Sequence, residues 1–244
     1  MKVDILFLAK NRREYTEEAL RQLERNTNWD LVSNLIIYND GSEDSRPKEP
    51  KYTVAPIYQD TDLGSPVAVT NDYLTTSRLF PPVAPWFAKI DNDTVVPPGW
   101  LDACVAVAET DNVDLIGIEA RYCENAPMRA GDTSVIKYRR TDHVGGIGLF
   151  RRSVFETHPL PQPNGTYYGF TEWQWEHPDV RKCWIDPPLP VFLLDHLPME
   201  PWRSLGREYV SKGWQRESWG EYDEVKDRGL WGWWLNQPSS VKTG

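Results

Sequence analysis

Asp91 and Asp93 flank a single asparagine in the stretch Trp86 to Leu101, WFAKIDNDTVVPPGWL. Phe87, Ala88 and Ile90 mark the approach as an apolar strand. Pro97-Pro98-Gly99 breaks the chain, and a helix opens near Trp100. Two carboxylates side by side at the carboxyl end of a strand repel each other and resist desolvation. A cation between them removes both penalties. Carboxylate oxygens suit Mg²⁺ or Mn²⁺, which keep positions open for water and substrate phosphates. The other reading of so short a pattern is a solvated acidic turn. Further polar clusters follow apolar runs: Lys10-Asn11-Arg12 after VDILFLA, Asn39-Asp40 after NLIIY, and Asp195-His196 after the apolar residues 183–194. Thr171-Glu172 lies within the aromatic stretch YYGFTEWQWE.

The elements that must position these groups follow from periodicity. Residues 3–9 read as a buried strand, 14–27 as a helix with Leu20 and Leu23 on one face, and 34–38 as a second strand. Strand, helix and strand in this order form a βαβ unit with a right-handed crossover, hence a parallel sheet. Polar residues at the carboxyl ends of such strands line the ligand crevice. Short strands are expected at 54–58, 113–118 and 134–138, and helices at 66–76 and 102–109. Residues 144–150, VGGIGLF, read as a glycine-rich strand whose glycines let a ligand approach the backbone. Arg151 and Arg152 stand behind it, and arginines after a strand often mark a solvated end. Helices are expected at 203–212 and 219–228.

Composition narrows the classes. The chain has 244 residues, 40% hydrophobic and 26% charged, and a net charge of −9, which argues against broad electrostatic binding of nucleic acid. No run approaches the roughly 18 apolar residues of a membrane span, and Val3 to Ala9 is too short for a secretory signal. Three cysteines, Cys104, Cys123 and Cys183, read as free thiols in a reducing compartment, so a cytoplasmic location is expected. Asn164-Gly165-Thr166 fits a glycosylation pattern but reads as a turn. Six of the twelve tryptophans fall between Trp202 and Trp234.

The ordered set VDILFLAKNRREYTEEAL, NLIIYNDGSEDS, Asp62-Leu63-Gly64 with Asn71, and KIDNDTVVPPGWL resembles the GT-A glycosyltransferases, of the family 2 type. The match spans roughly residues 3 to 196. It implies an α/β fold: a mixed, mostly parallel, Rossmann-like sheet flanked by helices, with a Trp-rich C-terminal helical extension. Residues 1–200 would form the GT-A domain, with a nucleotide-sugar half (1–100) and an acceptor half (101–200), and 201–244 the extension. The resemblance also implies a nucleotide-diphosphate sugar donor (a UDP- or GDP-sugar) and Mn²⁺ or Mg²⁺.

Carried over by position, Ala9, Arg12, Asn39 and Asp40 would line the nucleoside pocket. Asp91 would sit near the ribose, Asp93 and His196 would hold the metal, and Glu172 would act as the general base of an inverting transfer. The resemblance also implies an approach of Arg151 and Arg152 to the diphosphate of the nucleotide. Thr171-Glu172 stands where the family usually has Glu-Asp. Phe170, Trp173 and Trp175 around Glu172 suggest an apolar setting for it, and Glu176 and Asp179 are its rivals. His143 and His177 are weaker metal candidates. The Trp-rich tail reads as an acceptor-side lid. The acceptor is not named by the residues. The readings of another class are a haloacid dehalogenase-type phosphotransferase and a non-catalytic carbohydrate-binding protein of the same fold.

Overall fold

A computed structural model describes residues 1–43, 51–76, 83–110, 113–118, 129–131, 137–161, 169–186, 189–197 and 200–213. Strand β1, Val3–Ala9, is buried along its whole length. It lies between β2 (Val32–Asp40) and β4 (Trp86–Asp91) and is parallel to both. Burial on both faces is why the run VDILFLA is almost continuously apolar rather than alternating. Val3, Ile5, Phe7 and Ala9 pack in one core with α1 (Arg13–Asn26) and α3 (Trp100–Ala108). Leu6 and Leu8 pack in the other, with α2 (Pro66–Thr76), α4 (Arg152–Thr157) and α5 (Gly169–Glu176).

Nine strands form the main sheet among the described residues. Beyond β2 lies β3 (Pro56–Thr61). Beyond β4 come β9 (Gly148–Arg151), β6 (Leu115–Gly117), β10 (Lys182–Asp186), β8 (Lys137–Thr141) and β7 (Arg129–Gly131), in that order. Strand β9 runs antiparallel to β4 and β6, and β8 antiparallel to β10 and β7; all other pairings are parallel. The sheet is therefore mixed, with every strand but β8 and β9 pointing one way, as expected. A separate two-stranded ribbon pairs β5 (Thr94–Val95) with β11 (Phe192–Leu193).

Several expectations are corrected. Residues 144–147 form a turn with Gly145 at φ 68°, and the strand starts only at Gly148. A Cβ on Gly148 would lie 2.1 Å from the Ile116 carbonyl oxygen, so this glycine admits the neighbouring strand and not a ligand. Arg151 and Arg152 lie at the end of the sheet away from Asp91, since Arg151 is in register with Trp86. Arg151 donates to the Val113 carbonyl and stacks over Trp86, and Arg152 donates to Asp4 and the Ala84 carbonyl. The apolar stretch 183–194 divides between β10 and β11, and α4 was not foreseen.

The helix expected at 203–212 is α6, Trp202–Ser211. Its Trp202 and Tyr209 join Tyr15, Val95, Phe192, Leu194 and Leu197 in a third apolar cluster. The thiols of Cys104 and Cys183 are free and buried, and burial pushes both above the usual thiol range. Most of the strand expected at 134–138, Cys123, Asn164 to Thr166, the helix at 219–228 and the tail beyond Gly213 lie outside the described residues. No helix among the described residues is long and apolar enough to cross a membrane.

Candidate active site

Strand register gathers the polar turns. Ala9 is level with Asn39, Leu8 with Asp91, and Asn39 and Asp40 with Asp60 and Thr61. The carboxyl ends of β1, β2, β3 and β4 therefore share one edge, the edge at which open α/β sheets bind ligands.

The turn after β1 is shaped by two residues with positive φ, Asn11 at 51° and Arg12 at 55°. That conformation is uncommon outside glycine and asparagine, so other contacts must stabilise it. The buried Asn92 does so. Its Nδ2 donates to the carbonyls of Lys10 (3.3 Å) and Asn11 (3.0 Å) and to Thr16 Oγ1 (3.0 Å). Its Oδ1 accepts from Arg12 at 2.5 Å. The middle residue of the Asp-X-Asp turn is thus a staple to the first loop.

Arg12 faces the acidic groups directly. Its guanidinium lies 3.0 Å from Asp93 Oδ2 and 3.8 Å from Asp195 Oδ2. All three side chains are mostly buried, with Arg12 13%, Asp93 9% and Asp195 16% exposed. Asp195 Oδ1 lies 3.3 Å from Nε2 of the buried His196. The β5–β11 ribbon makes this meeting possible. Leu193 pairs with Thr94, and Leu194 N–H donates to the Asp93 carbonyl at 2.8 Å, which sets Asp195 and His196 beside the Asp93 turn. Asp195 was noted in sequence only as part of an Asp-His doublet after an apolar run and was assigned no role.

Asp91 has a different cation. Lys89, whose side chain is only 4% exposed, reaches it at 2.6 Å. Lys89 and Asp91 share a face of β4 because side chains alternate along a strand. The two aspartates are therefore held by separate positive charges, one from their own strand and one from the first loop. Lys89 was also missed, although a lysine two residues before an acidic strand end was visible.

Asp40 is buried and organises its surroundings. Its carboxylate accepts from the backbone N–H groups of Leu63 (2.6 Å) and Gly64 (3.0 Å) and lies 3.6 Å from Lys10 Nζ. Gly64 has φ 78°, which explains the glycine at this turn. Asn39 donates to Asp60 at 3.0 Å and accepts from Ser42 at 2.5 Å.

Glu172 lies in the first turn of α5 and is exposed. The apolar setting expected for it does not form. Phe170 and Trp173 point into the core, while Trp175 is 55% exposed. Adjacent helical residues diverge by about 100°, so aromatic neighbours in sequence are not neighbours of Glu172 in space, whereas Trp175 and Glu176 share its face. Helix α5 is tied to the crevice through the buried Gln174. That side chain accepts from Val144 N–H and donates to the Gly145 carbonyl, both at 2.8 Å, beside Gly146, whose added Cβ would lie 3.8 Å from Lys89 Nζ. The rival Asp179 is paired with His158 at 3.0 Å.

No protein-family model and no curated protein sequence matches the chain. Solved structures do. TarS residues 1–349 from S. aureus align over 97% of this chain and 71% of theirs, at 14% identity and a TM-score of 0.54. The same fragment in complex with UDP-GlcNAc gives the same identity and TM-score. GalNAc-T7 with UDP, GalNAc and Mn²⁺ aligns over 75% of this chain, at 11% identity and a TM-score of 0.54. The chain spans less than half the length of the longer TarS structure (43%) and of GalNAc-T7 (41%). At such identities the likeness carries the fold alone: the chain has the GT-A fold of the glycosyltransferases.

Proposed function

We propose that this chain transfers a sugar from a nucleotide-diphosphate donor, a UDP-sugar before a GDP-sugar, to an acceptor hydroxyl, with inversion. The observation that carries the reading is the convergence of Asp93, Asp195, His196 and Arg12 at the ligand edge of a GT-A sheet. Neighbours of the same fold are described with UDP-GlcNAc and with UDP and Mn²⁺, which supports the choice of donor.

The residues fit a divalent ion. Two carboxylates and an imidazole are a donor set that Mn²⁺ accepts; with the Arg12 guanidinium against Asp93 and Asp195 their ligand atoms are not all within 4.8 Å of one another, so an ion would take the arginine's place and draw them together. Asp93 and His196, with Asp195, would hold the ion. When bound it would neutralise charge developing on the departing nucleoside diphosphate. Ala9, Asn39 and Asp40 line the nucleoside pocket, with Asp40 acting through the Leu63-Gly64 backbone that it fixes. Asp91, oriented by Lys89, meets the ribose. Arg12 turns from the carboxylates to the diphosphate, for which its planar fork of donors is suited. Glu172 takes the proton of the acceptor hydroxyl from the face opposite the leaving group. Its exposure leaves it open to an acceptor, and Trp175 on the same helical face offers a ring for a sugar to stack on.

The test is direct. UDP- and GDP-sugars are mixed with the protein and Mn²⁺, and nucleotide release and calorimetric binding are measured. Mn²⁺-dependent UDP binding with slow release is expected. Neither binding nor release with any donor would overturn the reading. Binding without turnover across an acceptor panel would favour a non-catalytic donor-binding protein.

A further inference from the structure

Outside the crevice, three metal-ligating side chains converge where α4 and α5 end. His158 Nε2 lies 3.0 Å from Asp179 Oδ2, and the ligand atoms of His158, His177 and Asp179 all lie within 4.8 Å of one another. The group sits near the amino ends of β6 and β10, since Lys182, which donates to the His177 carbonyl at 2.6 Å, is in register with Leu115.

The surroundings hold these side chains in place. Thr157 has one hydroxyl hydrogen, and it goes to the Val154 carbonyl at 3.0 Å. Its oxygen can then only accept from His158 Nδ1, which lies 2.9 Å away. That fixes the proton of a neutral His158 on Nδ1 and turns the lone pair of Nε2 toward the Asp179 carboxylate. Two acceptors at this distance need a positive centre between them. A proton would satisfy the pair, but the His177 ring is drawn to the same point, with the two imidazole centroids 4.7 Å apart. Trp173 braces the group: its ring meets His177 edge-on and its Nε1 donates at 3.2 Å to the carbonyl of Pro159, the residue after His158. The side chains of His158 and Asp179 are 26% and 66% exposed, so an ion can reach them from solvent.

We propose that His158, His177 and Asp179 form a second metal site, for a divalent ion of the zinc type, which clips the end of α4 to the end of α5. The donors are those zinc takes, two imidazole nitrogens and a carboxylate oxygen, with water completing the shell. Bonds of about 2.0–2.2 Å at tetrahedral angles set two donors roughly 3.3–3.6 Å apart, so the His158–Asp179 pair at 3.0 Å has to open by only a few tenths of an ångström and His177 to close in from within 4.8 Å. Thr157 is the outer partner that orients a metal-bound histidine. The site is independent of the transferase reading, because none of its residues belongs to the crevice.

The test uses the full chain carrying Asp93→Asn, stripped with chelator and titrated with Co²⁺ as a visible probe. Ligand-field absorption saturating at one equivalent, and displaced by Zn²⁺, is expected. His158→Gln or His177→Gln should abolish it with the circular dichroism unchanged, and Thr157→Val should weaken binding by roughly 10–100-fold. If Asp93→Asn does not fold, the readout becomes the loss of one bound equivalent between the wild-type chain and its His177→Gln variant. Absence of Co²⁺ absorption, or absorption untouched by both histidine variants, would overturn the proposal and leave an ordinary His158–Asp179 ion pair.

Discussion

Asp93 is pulled two ways. Its carboxylate is mostly buried against Arg12, with Asp195 reaching the same guanidinium, so in the free protein the arginine supplies the positive charge that both need. Truncating one partner of a buried pair leaves the other charged and unpaired, which costs roughly 3–5 kcal/mol. Arg12→Ala should therefore lower stability by about that amount, and Mn²⁺ should restore more stability to the variant than to the wild-type chain. Thermal unfolding with and without Mn²⁺ reads the difference; equal metal shifts would show that Arg12 and the ion do not share a place. Glu172→Gln should leave UDP binding intact and slow transfer by roughly 10²–10⁴-fold, the usual contribution of a general base. Normal transfer by that variant would move the role to Glu176, on the same helical face.

Elements hold these residues through a few narrow contacts. Gly148 lets β9 approach β6, and Gly148→Ala would drive a Cβ to 2.1 Å from the Ile116 carbonyl. We expect a loss of at least about 1–3 kcal/mol, the usual cost of overpacking, read from the urea midpoint. At the far end of the sheet, Asp114 accepts from Arg181 at 2.8 Å and lies 3.2 Å from Arg151, joining β6, β9 and β10. Burial alone would push its pKa up, but the hydrogen bonds and charge of Arg181, with Arg151, outweigh this and hold the carboxyl below its ordinary range. A depressed native pKa adds stability above the unfolded value and loses it as pH falls through the native one. The stability gap between wild type and Asp114→Asn should therefore be full at neutral pH and narrow in acid. A gap that stays constant in chemical denaturation down the acid limb would contradict the assignment.

At the scale of the whole molecule, α6 returns the chain to its beginning. Tyr15 donates to the Trp202 carbonyl at 3.1 Å, and Tyr209 hydrogen-bonds Glu14. Trp202 and Tyr209 are 7% and 1% exposed. Helix α6 thus closes the apolar cluster that also backs the β5–β11 ribbon, and through it Asp195 and His196. Truncation after Glu200 should lower the unfolding temperature well below that of a chain ending at Gly213, since each large apolar side chain buried contributes roughly 1.5–3 kcal/mol. A lid role for the tail is therefore tested by truncation after Gly213; deletion from residue 201 would confound it with the loss of this cluster. Equal unfolding temperatures for the two truncations would mean that α6 does not support the ribbon.

Periodicity and punctuation alone determined the frame. The apolar runs of β1, β2 and β4, the helical spacing of α1, and Pro97-Pro98-Gly99 before α3 are local properties, set by which side chains a buried strand or a helix can bury. The polar strand ends Asn39-Asp40 and Asp91-Asn92-Asp93 were visible for the same reason. Tertiary structure decided what those residues meet. The β5–β11 ribbon joins two-residue strands nearly a hundred residues apart, too short to show any alternation, and it brings Asp195 and His196 to Asp93. The directions of Arg151 and Arg152 depend on where β9 enters the sheet, and the surroundings of Glu172 on how α5 rolls against its core. Asp93 was thus legible as an acid that needs a cation. That Arg12 supplies this charge, from a turn of the backbone held open by Asn92, could only be read once the chain was folded, because the pairing depends on distances that no local pattern encodes.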